Sequence, residues 1–263
     1  MSIKKNTKIE NKNLVIILLF LVILFLIFLL IENISMFGNY RNISHKSDIK
    51  KSIKKNDTKE YKTVGWIDVY DTGLNMPIFS LTDGFNGSVK VEKFSWTYSS
   101  LKNNNFITIF GHNIMNLGIP SKSNSKNFNR FEELMTYVYP EFADKHRYFQ
   151  LTINNKDSVY KIFSVALIKA YDVDTFPMNG ATRKQMTQYI NLFKDESIYK
   201  YNTKVNNSDN IVILSTCTRL LNYTYNYYDI VVVGKKINNK LLDNNGKLEK
   251  TNKYKTIEES LKR

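Results

Sequence analysis

One cysteine and three histidines bound the nucleophilic chemistry open to this 263-residue chain. Cys217 stands just after the apolar run Ile211-Val212-Ile213-Leu214. A second run, Ile230-Val231-Val232-Val233, follows a tyrosine-rich loop. β-Branched runs of this length, bounded by polar residues, read as buried strands. Cys217 therefore falls where a core strand meets a loop, a rigid place to hold a nucleophile still. A free cysteine is also a common small core residue, so the thiol alone does not decide between catalysis and packing.

A nucleophilic thiol needs a base or an imidazolium close by. His45 lies in a basic polar segment. His146 lies in the charged run Asp144-Lys145-His146-Arg147 and reads as a solvated surface residue. His112 directly follows the apolar strand Phe106-Ile107-Thr108-Ile109-Phe110, after Gly111, which lets the backbone turn tightly. Two strand ends at one rim of a barrel can bring His112 and Cys217 together. The charge that builds on a carbonyl under attack also needs a preorganised donor, typically worth about 10²–10³ in rate. Arg219 is the nearest candidate; if the strand continues that far, the period of two puts it on the cysteine's face. A surface arginine is the plain alternative.

The elements that would position these groups follow in chain order. Residues 1–13 are polar and carry four lysines, and Leu14–Ile31 is an unbroken apolar stretch without glycine, proline or charge. At 1.5 Å per residue such a stretch spans roughly 27 Å and predicts a transmembrane anchor. The lysines before it predict a cytoplasmic N-terminus, with residues 33–263 outside the cell membrane as a single-pass protein. Residues 32–63 read as a basic stalk or linker. Strands are predicted near 65–70, 75–79, 106–110, 148–153 and 158–169, besides the two runs around Cys217. Residues 129–138 and 182–193 show helical spacing, the latter with Met186, Tyr189, Ile190 and Phe193 on one face. Asn129 with Glu132, and Thr182 with Gln185, fit N-terminal capping patterns. Residues 239–263 form a charged tail. Seven or eight strands with two short helices make a mainly β protein, a barrel or sandwich with decorations.

The formal net charge of +14 suits an anionic membrane or cell wall. No helix-turn-helix, zinc-ligand or RNA-recognition pattern accompanies it, so nucleic acid is not an expected partner. A single cysteine excludes an intramolecular disulfide. No cluster has metal-ligand spacing.

Leu214-Ser215-Thr216-Cys217-Thr218 resembles the Leu-x-Thr-Cys signature of sortases, and Phe110-Gly111-His112-Asn113 resembles their strand-end Gly-His motif. The helix at 182–193, followed by Ser197-Ile198-Tyr199 and the cysteine strand, is similar to the class B insertion. The resemblance covers about residues 64–236. It implies a closed seven- to eight-stranded sortase-like β-barrel with short helices over residues 64–238. It also implies a cell-surface cysteine transpeptidase without cofactor. Cys217 would attack the carbonyl of a threonine in a C-terminal sorting signal, and His112 would protonate the leaving amine. An amino group of a cell-wall peptidoglycan precursor or a pilin would then resolve the thioester. Arg219 is the candidate oxyanion donor. Asn113, Thr216, Ser215, Tyr227 and Tyr228 are candidate substrate contacts. Members of this class often serve haem-uptake proteins or build pili.

The chain departs from the pattern at one place. Sortases usually carry an arginine at the start of the strand after the cysteine, where this chain has Asp229. Three outcomes stay open: Arg219 takes the role, Tyr227 or Tyr228 donates instead, or the enzyme is weakened. A membrane-tethered peptide-binding module with degenerate activity is the alternative reading, and a purely hydrolytic cysteine peptidase shares the same dyad.

Overall fold

The computed structural model describes residues 14–29, 44–59, 61–81, 95–97, 101, 104–113, 118–120, 131–221, 228–238 and 247–262. Two units are present, Met1–Asn42 and Ile43–Arg263. In the first, residues 14–29 form helix α1. The predicted membrane-spanning segment at 14–31 is overturned here. Sixteen helical residues reach ~24 Å, against about 30 Å of hydrocarbon. Among the described residues no helix is long and apolar enough to cross a membrane. The single-pass location inferred from that segment falls with it.

Among the described residues the second unit holds ten strands. They are β1 (Tyr61–Asp68), β2 (Asn75–Leu81), β3 (Ser95–Thr97), β4 (Phe106–Gly111), β5 (Tyr148–Ile153), β6 (Lys156–Lys169), β7 (Tyr199–Lys200), β8 (Ile211–Thr218), β9 (Tyr228–Lys236) and β10 (Glu249–Lys250). Eight close a barrel in the order β1-β2-β3-β4-β8-β9-β6-β5, while β7 and β10 form a separate pair. The closed eight-stranded barrel with short helices is the predicted architecture. Neighbours run antiparallel except β2 with β3 and β4 with β8. A parallel pair needs a long crossover. The chain between β4 and β8 supplies one, holding α3 (Pro140–Lys145), α4 (Ala170–Asp174) and α5 (Arg183–Glu196).

Both faces of the central strands are covered. Ile107, Ile109, Val212, Leu214, Ile230 and Val232 join the main core with Phe131 and Leu134. The alternate residues Phe106, Ile211, Ile213, Val231 and Val233 pack instead with Met186 and Phe193 of α5. Strands buried on both sides read as unbroken apolar runs rather than alternation, which is how they look in the sequence. α5 begins with the predicted capping box: Thr182 Oγ1 accepts from the Gln185 backbone, and the Gln185 side chain accepts from Thr182 N–H.

The helix predicted at 129–138 is instead a 3₁₀ helix, Phe131–Val138, buried on every side, Glu132 and Glu133 included. The capping residue proposed for it, Asn129, lies outside the described residues. Two other helices occupy stretches that read as stalk and tail. α2 (Lys46–Asn56) buries Ile49 and Ser52. α6 (Asn252–Leu261) buries Tyr254 and Ile257 against the main core. Their lysine-rich composition hides a few apolar residues placed on one face.

Candidate active site

The register of β4 on β8 places the two chemical groups. Phe110 pairs with Ser215 in this parallel ladder. Cys217, two residues on in β8, stays on the Phe110–Ser215 face by the period of two, and His112 directly follows the end of β4 at the same end of the sheet. That face carries Ile211 and Ile213 and packs toward α5. Cys217 and His112, the groups expected from the sequence to act together, thus both lie at one end of the β4–β8 pair.

Two latches tie the strand ends. Thr216 Oγ1 donates to Gly111 O at 2.6 Å. Asn113 Nδ2 donates to Cys217 O at 2.9 Å, and Cys217 Sγ lies 3.8 Å from Asn113 O, to which it donates in return. Gly111 is required by space, not by the turn expected from the sequence. A Cβ there would overlap the side chain of buried Phe131. His112 is exposed toward the groove, with its ring centroid 4.7 Å from that of Trp96. Trp96 was not singled out in the sequence; β3 is only three residues long and gives no periodic signal.

The electrostatics around the thiol are mixed. Burial first of all pushes the Cys217 thiol up, and the charge of Asp229 adds to this. The bond to Asn113 and the charge of Arg219 act in the opposite direction. Arg219 is exposed just beyond the end of β8, near enough for its charge to reach the sulfur. Asp229 is the cross-strand partner of Cys217 and is itself buried, with 9% of its surface exposed. Ser215 Oγ donates to Asp229 Oδ2 at 2.7 Å.

The candidate substrate contacts are placed unequally. Ser215, Thr216 and Asn113 are buried, and their side-chain donors are engaged with Asp229, Gly111 and Cys217 respectively. Tyr228 pairs with Thr218 and packs against the main core, so alternation turns it to the face opposite Cys217. Tyr227 lies outside the described residues. A cavity of about 300 Å³ opens on the dyad's side of β3 and β4, lined by Trp96, Thr108, Phe110, Asp174, Phe176 and Met178 among others. A larger cavity of about 720 Å³ sits between α3 and α6, around Tyr139, Phe142 and Tyr254, and holds no candidate nucleophile.

The remaining histidines are not surface residues. His45 and His146 are each 4% exposed. His45 sits between Asp48 at 3.1 Å and Asp68 at 3.7 Å, stacked on Trp66. His146 Nδ1 lies 2.9 Å from Phe142 O. Charged neighbours in sequence disguised both: exposed Lys46 and Lys145 flank buried imidazoles, and Arg147 is itself buried against Asp144. Among the described residues no group of three histidine, cysteine, aspartate or glutamate side chains could hold a metal ion.

No family model matches the chain. Sortase B of Listeria monocytogenes is 27% identical over 167 residues, covering 59% of this chain and 62% of the relative. The chain thus spans less than two thirds of the curated relative's length. Among solved structures, Clostridium perfringens sortase B superposes with a TM-score of 0.54 at 21% identity, covering 72% of this chain and all of that one. A sortase B solved in complex with triglycine gives 0.57 at 21% identity, covering 80% and 94%. The Staphylococcus aureus sortase B–substrate complex gives 0.55 at 20% identity, covering 77% and 90%. The resemblance to class B sortases is thus supported by the sequence of a curated relative and by the fold of solved sortase B structures.

Proposed function

We propose that this chain is a sortase-type cysteine transpeptidase. The single observation that supports the reading is the parallel β4–β8 register, which leaves His112 and Cys217 at the same end of two paired strands. The Cys217 thiolate attacks a backbone carbonyl of a sorting-signal peptide. The carbon–sulfur bond forms as the carbonyl electrons move onto oxygen. Arg219 stabilises the thiolate and the oxyanion by its charge. His112, holding the proton taken from sulfur, returns it to the departing amine. A second amine then attacks the thioester and frees Cys217. The Asn113 and Thr216 latches position the two strand ends for these steps. The cavity between Trp96 and Phe176 would take an apolar side chain of the peptide.

A signal-bearing polypeptide and an amine are the partners this reading requires. Sortase B solved with a substrate, and sortase B solved with triglycine, support that choice. Cleavage after a threonine, and a cell-wall precursor or pilin as the amine donor, are the finer parts of the proposal.

The test mixes residues 43–263 with a library of sorting-signal-like peptides, with and without triglycine, and reads products by mass spectrometry. A peptide joined to triglycine, lost in Cys217→Ala and in His112→Ala, is the expected result. Cleavage that persists in folded Cys217→Ala would overturn the proposal. Cleavage that is lost in Cys217→Ala but never yields the joined product would replace transpeptidation with hydrolysis.

A further inference from the structure

Cys217 and Asp229 are directly opposed in the β8–β9 ladder. Opposed side chains share a face, with Cβ atoms about 4.5–5.5 Å apart. An ionised carboxylate so close, and shielded from water, works against the reaction twice. It opposes the thiolate before attack and the oxyanion after it. A neutral carboxyl does the reverse, since its O–H is a donor. Ser215 Oγ lies 2.7 Å from Asp229 Oδ2; with that hydroxyl donating to Oδ2, the acidic proton of a neutral carboxyl would sit on Oδ1.

We infer that Asp229 is a catalytic residue in its protonated form, donating a hydrogen bond from Oδ1 to the carbonyl oxygen under attack, with Ser215 positioning the carboxyl. The inference rests on the transpeptidase reading. No proton leaves Asp229 during the cycle. The thiol proton passes to His112 and on to the leaving amine, while Asp229 and Arg219 together hold the oxyanion.

The surroundings favour the neutral acid. Burial foremost pushes Asp229 up to about 6; the Ser215 hydrogen bond pulls it down and Asp174 pushes it up. At this end of the sheet the other charged or titratable groups on the packed elements include Cys217 of β8, Arg219 just beyond it, His112 just past β4, Tyr171 and Asp172 of α4 and Lys169 of β6. Lys169 pairs with Tyr228, so it lies on the opposite face of the sheet. The thiolate adds a further negative charge, which favours protonation of Asp229 in the reacting state.

The experiment measures kcat/KM against pH from about 5 to 9 for the wild type, Asp229→Asn and Asp229→Ala, with the fold checked by circular dichroism. The same preparations are titrated with a thiol reagent. An amide still donates but cannot ionise. Asp229→Asn is therefore expected to lose the alkaline decline that begins near pH 6 in the wild type. Asp229→Ala should fall by about 10²–10³ below pH 6, the usual effect of losing one such donor, and the deficit should shrink as pH rises and the wild-type carboxyl ionises. In both variants Cys217 should react with the reagent at lower pH than in the wild type. A folded Asp229→Asn that loses as much as Asp229→Ala would overturn the role. So would an Asp229→Asn profile with the wild-type alkaline limb. A wild type without any Cys217-dependent product would instead overturn the transpeptidase reading, and this role with it.

Discussion

Gly111 joins the fold to the chemistry, and replacing it with alanine tests that joint. The glycine ends β4, immediately before His112. A methyl group built on it would overlap Cβ, Cγ and Cδ1 of Phe131. These are the root of the side chain, not a flexible end, and Phe131 is only 2% exposed within the main core. The ring has nowhere to swing. Gly111 has no left-handed backbone angle, unlike Gly180, so the cost is one of space. Overpacking of this kind costs about 1–3 kcal/mol. In a domain of this size each kcal/mol lowers Tm by roughly 2–4 °C, so Gly111→Ala should melt roughly 2–12 °C below the wild type. The strain should also reach the site, because Gly111 O accepts from Thr216 and His112 follows directly. A displacement of about 1 Å at a reacting group can cost about 10² in rate. Thermal unfolding by circular dichroism and the peptide assay read the two effects. Phe131→Leu removes part of the obstructing ring, so Gly111→Ala/Phe131→Leu should melt above the sum of the single losses. A coupling of about 0.5–3 kcal/mol is expected for residues in contact. An unchanged Tm in Gly111→Ala, with strictly additive single and double variants, would refute the reasoning.

Other perturbations separate positioning from packing. Asn113→Ala removes the part-buried hydrogen bond to Cys217 O, at about 0.5–1.5 kcal/mol of stability; kcat should fall more than KM rises in the peptide assay. Trp96→Ala removes the ring beside His112, and kcat/KM should drop about twofold to fivefold, the loss of an exposed-site cation–π contact of about 0.5–1 kcal/mol to the imidazolium. Thr182→Ala should cost ~1 kcal/mol in chemical denaturation by opening the α5 capping box, with KM shifting if α5 supports the groove. His146 is held down to about 4 by burial against an ordinary 6.5, so its contribution is present above pH 6.5 and is lost as pH falls toward 4. Glu133 is pushed up to about 7 by burial against 4.5, so its contribution is present below pH 4.5 and is lost as pH rises toward 7. Each gap amounts to ~3 kcal/mol at about 1.36 kcal/mol per pH unit. Between pH 4.5 and 6.5, His146→Gln should make stability fall more steeply with pH than in the wild type, and Glu133→Gln should make it rise more steeply, both by urea unfolding.

The barrel was legible because its strands are long and carry their own signal. β4, β5, β6, β8 and β9 are apolar or β-branched runs between polar breaks, and both α5 and its cap follow from local spacing. Elements without local periodicity were not legible. β3 has three residues, and β7 and β10 have two each. The 3₁₀ helix at Phe131–Val138 buries Glu132 and Glu133 along with its apolar residues, which only tertiary surroundings can demand. Leu14–Ile31 was read from composition, which measures apolarity, whereas spanning also requires sufficient helix length, and the described helix covers residues 14–29.

The site divides along the same line. Cys217 and His112 could be found because each follows an apolar run, and strand ends are visible in sequence. Their meeting depends on a parallel pairing between residues about a hundred positions apart, which no local pattern encodes. The same pairing decides which neighbours count. Tyr228 follows the cysteine loop and looks available, yet alternation sends it to the core. Asp229, one residue later, is carried by that alternation onto the nucleophile's own face. In sequence it registers only as an acid where a cation was expected. Opposed to Cys217, buried and bonded to Ser215, it becomes a group whose proton determines whether it resists the reaction or assists it.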